Sequence, residues 1–367
     1  MRFSCERDLL SESIGIASRA LESRSFGNGV HLDLTGDNLV IYAHETDILI
    51  EVRIEVLGHE DGSCVIPTPL TSDLIKSLGE GIVEIDVDDM ALTMRSQRAK
   101  MSVNLVADFN PPYLRDETVA PVTVDAGELK EALAQVIRAS AKGDARDFVY
   151  TGVLFAAIDG GLRLVATDGV RMAIRDLRGV NLLESDSEVI VPARSLTELE
   201  KLLALRSQKE ELRVSVGDKE AAFEIGDFLL VTRLIEERYR DYRQVIQPSY
   251  PKRLVVSKRE IVEALRRLRR MARENRDMTN LRLDITETRL FMSVHIPQVG
   301  TATEELEATY IGDEEISLAF DPELLNEGID AVGSEYAALE IVATNKAVRI
   351  ANADNSDLTY LLMPIRQ

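Results

Sequence analysis

The sequence predicts an α+β fold made of three copies of one domain, each with two helices packed on antiparallel sheet. Internal repetition is the main reason, because similar segments recur with a period of about 120 residues, the size of a domain. The pairs Thr46-Asp47 and Thr167-Asp168, for example, lie 121 positions apart. Length agrees, since 367 residues accommodate three domains of roughly 100 to 150 residues. Alternation of apolar and polar residues between turn signals predicts half-buried antiparallel strands.

Each copy opens with a short strand that runs directly into an amphipathic helix. Apolar residues alternate in the strand, and the first apolar anchor of the helix follows the last one of the strand by five positions in every copy. The three pairs are Cys5 and Leu10, Val124 and Leu129, and Val256 and Ile261. A change from a period of two to a period near 3.6 predicts this strand-to-helix unit.

Half-buried strands joined by hairpins follow the first helix. Strict alternation predicts strands at residues 31–34, 39–43, 83–87, 162–164, 212–216 and 281–285. Turn residues separate such strands at 35–38, 159–161 and 217–219, as expected of hairpin connections. These strands account for the sheet of each copy.

A second helix is predicted in each copy after a proline signal. The signals are Ile66-Pro67, Val191-Pro192 and Phe320-Asp321-Pro322, each followed by a helical pattern. Prolines at Pro121 and in the segment 248–251 interrupt the pattern between copies. We therefore expect domains at residues 1–120, 121–250 and 251–367.

Composition excludes several classes of protein. Five charges within the first twelve residues break the apolar stretch of a secretory signal, and no apolar run reaches the 18 or so residues of a membrane span. We expect a cytoplasmic protein without membrane contact. Cys5 and Cys64 are the two cysteines, and we interpret them as small buried hydrophobic residues in a reducing compartment.

The charge of the chain is unevenly distributed. The net charge is -20, which argues against a nucleic-acid partner, yet residues 257–276 hold eight Lys and Arg against three Glu. At about 100° per residue, four arginines of this helix fall within about 40° of one line: Arg259, Arg266, Arg270 and Arg273. One interpretation is a solvated helix face balanced by neighbouring acids. The other is a cationic stripe that attracts a polyanion toward one side of an acidic protein.

An enzyme is the competing class. Catalysis needs a cluster of nucleophile, base or metal ligands, whereas the histidines His31, His44, His59 and His295 are scattered without ligand spacing. The Thr167-Asp168-Gly169 segment is interpreted as a turn held by the Asp side chain. We expect no catalytic residue, metal or cofactor. A scaffold independent of DNA is a third class, and it has no need of the arginine stripe.

Several motifs, in order along the chain, resemble the beta subunit of bacterial DNA polymerase III, the sliding-clamp family. The resemblance runs from Met1 to Gln367, and its segments are Met1-Arg2-Phe3 with Glu6-Arg7, Ala107-Asp108-Phe109, residues 165–169, residues 189–192, Asp241-Tyr242-Arg243 and residues 360–366. It implies a head-to-tail homodimer whose six domains close into a ring around duplex DNA, with helices inside and sheets outside. It also implies replicative DNA polymerase and other motif-bearing proteins as partners, and an ATP-driven clamp loader.

The resemblance implies three sets of site residues. The implied DNA-binding residues are Arg24, Lys142, Phe148, Val149, Arg266, Arg270 and Arg273. The implied groove for partner peptides, between the second and third domains, is lined by Tyr150, Thr167, Gly169, Val170, Arg171, Met172, Arg240, Gln244, Val245, Leu361, Leu362, Met363, Pro364, Ile365 and Arg366. The implied dimer interface comprises Arg95, Arg98, Lys100, Met101, Val103, Ala272, Arg273, Glu304, Glu305 and Glu307.

Some positions depart from the family pattern. Arg240 and Gln244 replace Pro and Arg, and Val170 replaces a common His, so the preferred peptide motif is expected to differ. At the dimer contact, Ala272 and Arg273 replace two large apolar residues. The hydrophobic part of that contact is therefore weaker, and ion pairs between the basic and acidic residues of the two edges are expected to contribute, at about 0 to 1 kcal/mol each when exposed. Pro69 stands where a basic residue is usual, which removes one expected DNA contact.

Overall fold

A computed structural model of the protein describes residues 1–21, 29–106, 119–143, 147–207, 210–272, 280–353 and 357–366. The prediction of an α+β fold with antiparallel sheets and two helices in each copy is confirmed over these residues. Each predicted strand and hairpin named above is present.

The first copy contains nine strands and two helices among its described residues. The strands are β1 (Arg2–Glu6), β2 (Val30–Thr35), β3 (Asn38–His44), β4 (Ile48–Glu55), β5 (Leu57–Glu60), β6 (Gly62–Ile66), β7 (Ile82–Val87), β8 (Ala91–Ser96) and β9 (Ala99–Asn104), and the helices are α1 (Arg7–Ala17) and α2 (Leu70–Ser77). Phe3 and Cys5 of β1 are buried on one side of the strand, and Leu10 and Ile14 continue the buried surface one helical turn apart. The repeated opening pattern is therefore the junction of strand and helix.

The middle copy repeats the arrangement over its described residues. Its elements are β10 (Val122–Asp125), α3 (Ala126–Val136), β11 (Gly152–Ile158), β12 (Gly161–Thr167), β13 (Arg171–Arg178), β14 (Glu188–Pro192), α4 (Ala193–Ala204), β15 (Glu211–Val216), β16 (Glu220–Ile225) and β17 (Phe228–Arg233). The β11–β12 hairpin turns at Gly160, whose φ of +72° is a conformation that glycine adopts without steric cost.

The third copy has the same order of helices. Its elements are β18 (Lys252–Ser257), α5 (Lys258–Ala272), β19 (Leu281–Ile285), β20 (Arg289–Ile296), β21 (Gly300–Ile311), β22 (Ile316–Phe320), α6 (Pro322–Ala331), β23 (Tyr336–Ile341), β24 (Val348–Asn352) and β25 (Leu358–Leu362). Asp321 caps α6, since its carboxylate accepts from the N–H groups of Glu323 at 2.7 Å and Leu324 at 3.1 Å, and Pro322 occupies the first turn. Both residues are favourable at a helix start.

Sheets cross from one copy to the next. β17 of the middle copy pairs with β4 of the first, with Leu230 opposite Ile50. This pairing gives an eight-stranded sheet in the order β10-β15-β16-β17-β4-β3-β2-β6. β13 pairs with β25 of the third copy, with Ala173 opposite Tyr360, within a twelve-stranded sheet in the order β14-β11-β12-β13-β25-β24-β23-β18-β21-β20-β19-β22. A five-stranded sheet has the order β5-β1-β7-β8-β9.

By compactness the chain divides into two units. One comprises Met1–Gly127 and Ser195–Leu234, and the other Glu128–Arg194 and Ile235–Gln367. The eight-stranded and five-stranded sheets belong to the first unit and the twelve-stranded sheet to the second. Strands of the middle copy therefore contribute to the sheets of both units.

The interpretation of the two cysteines as buried hydrophobic residues is confirmed. Cys5 and Cys64 are both buried and carry no disulfide. Burial disfavours the charged thiolate and raises the pKa of each thiol to about 12. Neither thiol is therefore activated as a nucleophile.

Candidate functional site

The turn between β12 and β13 is held by its own side chains. The Asp168 carboxylate accepts hydrogen bonds from the N–H groups of Val170 at 2.9 Å and Arg171 at 3.0 Å. The N–H of Gly169 donates to Thr167 Oγ1 at 3.1 Å, and Gly169 has a φ of +90°. The interpretation of this segment as a turn stabilised by Asp168 is confirmed.

Beside this turn, aromatic and cationic residues pack together. The ring of Tyr150 meets that of Tyr239 edge to face, with 5.8 Å between centroids. The guanidinium of Arg240 lies 5.9 Å from the Tyr150 ring centroid and pairs with Asp147 at 2.9 Å. Burial raises the pKa of Tyr239, so this phenol remains neutral. Tyr150 is thereby fixed between a buried ring and an exposed ion pair.

The C-terminal segment passes the same turn. Strand β25 lies between β13 and β24 and is therefore not an edge strand. Beyond β25 the N–H of Met363 donates to the carbonyl of Val170 at 2.9 Å, and the N–H of Ile365 donates to the carbonyl of Ala319 at 2.7 Å. The segment 363–366 is therefore the extended piece that is open to solvent.

A cavity of about 430 Å³ adjoins this extended segment. It is lined by Ser317, Leu318, Ala319, Thr344, Asn345, Ile365 and Arg366. Five of these residues were not predicted from the sequence, because β22 comes beside the C-terminal segment only in the tertiary structure, through the bond between Ile365 and Ala319. The turn before β24 contributes the polar wall of the cavity.

The predicted groove residues divide into an accessible and a buried group. Three large apolar side chains are exposed: Val170 at 48%, Val245 at 40% and Met363 at 39%. Gly169, Arg240, Gln244 and Arg366 are also exposed, and Tyr150, Pro364 and Ile365 are half-buried. Thr167, Arg171, Met172, Leu361 and Leu362 are buried. The buried group supports the surface from beneath, since Met172 and Leu361 belong to one core cluster with Tyr239 and Tyr242.

Helix α5 presents the predicted arginine stripe. Its opposite face is buried through Ile261, Ala264, Leu265 and Leu268. On the stripe, Arg259, Arg266 and Arg270 are exposed and make no ion pair with any residue that the structure describes. Arg273 lies outside the described residues. Three guanidinium groups of the line therefore face solvent together.

The arginines off the stripe are paired. Arg267 binds Glu304 of β21 through two bonds of 2.6 and 2.8 Å, and Arg269 binds Glu323 of α6. The Arg267 guanidinium holds the pKa of Glu304 below its usual value. The division between paired and unpaired arginines follows the helical line that the sequence predicts.

The other predicted DNA-binding residues differ in how far they are exposed to solvent. Lys142 is exposed, and Phe148 is exposed by 59%. Val149 is buried in the core cluster that also contains Met172 and Leu361, so its side chain supports the loop from inside and is not presented to solvent. Arg24 lies outside the described residues.

One predicted dimer edge is strand β9. It is the last strand of the five-stranded sheet, so its outer side pairs with no described strand. Arg98 and Lys100 are exposed and form no ion pair within the described part of the chain, whereas Arg95 pairs with Asp86 at 3.4 Å. Met101 is half-buried and Val103 is buried.

The other predicted edge is the first half of β21. Residues 300–307 pair with β20 on one side, while β18 pairs only with residues 308–311. Glu304 binds Arg267, and Glu305 binds Arg289 at 2.9 Å. Glu307 is exposed and lacks an ion-pair partner among the residues described. Arg273 and the side chain of Ala272, at the end of α5, are not among those described.

No group of three or more His, Cys, Asp and Glu side chains within the described residues is arranged to hold a metal ion. None of their helices combines the length and apolar character needed to cross a membrane.

Each of the three copies matches a domain model of one known family. Models of the DNA polymerase III beta subunit match the chain as its N-terminal domain at residues 1–114, its central domain at 123–241 and its C-terminal domain at 243–366. The beta sliding clamps of Bacillus subtilis and Escherichia coli K12 are 25% and 26% identical to the chain, and both alignments cover 100% of each protein.

Solved structures share the fold. The DNA polymerase sliding clamp of Bacillus subtilis has a TM-score of 0.92 at 24% identity and covers 100% of this chain and 99% of that chain. A sliding clamp from Bartonella birtlesii bound to griselimycin has a TM-score of 0.91 at 23% identity, with 100% coverage of both chains.

Proposed function

The chain belongs to the family of the DNA polymerase III beta subunit, and from that premise we propose that it is a processivity factor that encircles duplex DNA. Two copies close head to tail into a ring of six domains, which slides without reading sequence and tethers the replicative polymerase. The ring is retained on DNA because it encloses the duplex. The proposed protein has no catalytic role, and an ATP-driven loader opens the ring.

The observation that carries this proposal is the stripe of Arg259, Arg266 and Arg270. Three exposed guanidinium groups without ion-pair partners among the described residues give this face of α5 a positive charge in a chain whose net charge is -20. Phosphate contacts of this kind attract duplex DNA without sequence preference. A scaffold that acts without DNA has no use for such a stripe, since unpaired like charges on one helix repel each other.

Ring closure is supported by two strand edges of opposite charge. β9 and the first half of β21 each have a side that no described strand occupies, and an open edge is a template for pairing with another chain. Arg98 and Lys100 on one edge and Glu307 on the other have no described ion-pair partner. We propose that these edges pair between two copies and that the charges select the head-to-tail orientation.

We assign partner binding to the surface formed by Val170 and Met363 with the adjoining cavity, and we include the exposed side chain of Val245 in it. An exposed apolar patch rimmed by polar groups is typical of a peptide-binding site. The flexible thioether of Met363 suits a surface that accepts several related peptides. We propose that replicative polymerase and repair proteins dock short segments here.

Loading onto circular DNA tests the function. Protein placed on a nicked plasmid with a bacterial clamp loader and ATP is expected to remain bound through gel filtration in about 0.5 M salt, an ionic strength at which surface phosphate contacts are largely screened. Cutting the plasmid once is expected to release it. Equal retention on circular and linear DNA, or release from both, would contradict encirclement.

A further inference from the structure

Arg171 is one of the predicted groove residues, but its side chain does not face the groove. It is only 6% exposed, less than any other arginine or lysine that the structure describes. A buried guanidinium needs hydrogen-bond acceptors for its five N–H donors. The acceptors that the structure gives it come from three different elements.

The first acceptor is Asp168, which lies three positions earlier in the same turn. Nε of Arg171 donates to its carboxylate at 3.0 Å, while the other oxygen of that carboxylate already accepts the N–H groups of Val170 and Arg171. One carboxylate therefore holds both the backbone of the turn and the guanidinium. The turn and the Arg171 side chain form a single unit.

The other two acceptors belong to the third copy. Nη1 of Arg171 donates to Glu327 of α6 and to the hydroxyl of Tyr360 in β25 at 3.4 Å. Burial by itself lowers the pKa of Arg171, but interaction with Tyr360 and Glu327 outweighs it and raises that pKa. Burial in turn raises the pKa of Tyr360 to about 12, so the phenol stays protonated. A permanent cation thus connects the turn of the middle copy to a helix and a strand of the third.

Tyr360 is itself immobilised. Its side chain is fully buried, and a Cβ added to Gly328 of α6 would lie 2.8 Å from two of its ring atoms. α6 therefore packs directly on the phenol ring, and Glu327 is the neighbouring residue of Gly328 on that helix. The acceptors from the third copy, Glu327 and Tyr360, therefore lie on elements that pack against each other outside the turn.

We propose that Arg171 is a positioning residue for the groove, not a contact for the bound peptide. It fixes the turn 167–171 against α6 and β25, so that Val170 and Met363 are in place before a ligand arrives. The inference rests on the proposed peptide-binding function of this surface. Pre-formed sites bind more tightly because less conformational freedom is given up on binding.

Griselimycin is a suitable probe, since clamps of the same fold are known bound to it. Its affinity is measured by calorimetry for the wild type and for Glu327→Gln, Tyr360→Phe and Arg171→Lys in the full-length chain. Each variant keeps the exposed groove residues unchanged. We expect the dissociation constant to rise about three- to tenfold in Glu327→Gln, as the fraction of molecules with an ordered turn falls, with a smaller rise in Tyr360→Phe.

Two readouts separate positioning from direct contact. If Arg171 contacted the ligand, Glu327→Gln would free its guanidinium and leave the affinity unchanged or improved, and that result would overturn the inference. Positioning also predicts faster amide exchange at Gly169, Val170 and Arg171 in Glu327→Gln. The double variant Arg171→Lys with Glu327→Gln is expected to bind griselimycin no more weakly than the single variant with the lower affinity, because both substitutions act through one contact.

The matched control is Asp176→Asn on the same strand, β13. Asp176 forms a bidentate pair with Arg163 at 2.7 Å, so the control breaks an Arg–carboxylate pair away from the turn. Its griselimycin affinity is expected to equal that of the wild type. A decrease in affinity of the control as large as in Glu327→Gln would contradict the inference. Absence of binding to the wild-type protein would instead contradict the proposed groove.

Discussion

The backbone N–H of Met363 donates to the carbonyl oxygen of Val170 at 2.9 Å, which joins the C-terminal segment of the third copy to a turn of the middle copy. Both side chains remain exposed, at 39% and 48%. Two residues separated by more than half of the chain therefore form one apolar surface. A hydrogen bond between backbone groups sets their spacing. Substitutions of these side chains can test the surface without breaking that bond.

Val170→Ala combined with Met363→Ala is expected to weaken griselimycin binding about tenfold, or about 1.4 kcal/mol, because central apolar contacts dominate such interfaces. Calorimetric titration measures the dissociation constant of griselimycin. Leu57→Ala combined with Ile311→Ala is the control, since those side chains are exposed by 61% and 63% on β5 and β21. If the two double variants bound griselimycin with equal affinity, the surface of Val170 and Met363 would not be the binding site.

Arg266→Gln combined with Arg270→Gln is expected to weaken binding to duplex DNA and to reduce the slope of log K against log salt by about one for each phosphate that the variant no longer neutralises. Arg213→Gln combined with Arg282→Gln makes the same change in net charge on β15 and β19, where the arginines pair with Glu224 and Asp284. Fluorescence anisotropy of labelled DNA over a salt series measures the slope for each double variant. Identical slopes would show that net charge, and not the α5 stripe, governs the attraction.

Lys100→Glu is expected to weaken the dimer, because it places like charges on the two strand edges. The effect is about 1 kcal/mol or less for an exposed pair, which is up to about fivefold in the dissociation constant. Glu307→Lys introduced together with Lys100→Glu restores opposite charges and is expected to recover most of the affinity. Sedimentation equilibrium measures all three proteins. A double variant weaker than Lys100→Glu alone would show that these two residues do not face each other.

Two glycines in helices are expected to respond oppositely to alanine. At Gly328 in α6, the new Cβ would meet Tyr360 and Ile350 at 2.8 Å, and overpacking of this kind costs about 1 to 3 kcal/mol. At Gly15 in α1, no atom lies within 4 Å of the Cβ position, and alanine favours a helix by up to about 1 kcal/mol. Chemical denaturation compares the variants. A stable Gly328→Ala protein would mean that α6 and β25 pack less closely than described.

Stability is expected to fall as the pH rises from 9 toward 12. Burial raises the pKa of Cys5 and Cys64 from 9.0 to about 12, so between these values the unfolded thiols release protons that the folded ones retain. Stabilisation is full below pH 9 and disappears as the pH approaches 12. Cys5→Ala combined with Cys64→Ala should flatten this part of the curve in urea titrations. At pH 8 a thiol reagent is expected to label neither cysteine until the protein unfolds, and rapid labelling of the folded protein would contradict their burial.

Burial separates the predicted site residues that lie in the core from those that are exposed. Val149, Met172 and Leu361 are ordinary apolar residues in the sequence, and periodicity does not distinguish a groove-lining position from the core beneath it. In the structure they share one buried cluster. Val170 and Val245 have the same chemical character but lie on a turn and at the end of a short helical turn, where a large part of each side chain remains exposed.

What the sequence determined by itself is local and repeated. The junction of strand and helix at Cys5 and Leu10, the helix after Phe320-Asp321-Pro322 and the arginine line of α5 depend on neighbouring residues. Alternation, the proline signal and the helical period therefore reveal them. Tertiary structure alone decided which strands meet between copies, that β25 lies inside a sheet, and that Arg171 is bound by Glu327 and Tyr360. Those relationships join residues far apart in the chain, such as Arg171 and Tyr360, which are 189 positions apart. They depend on which buried faces fit together, which no local pattern encodes.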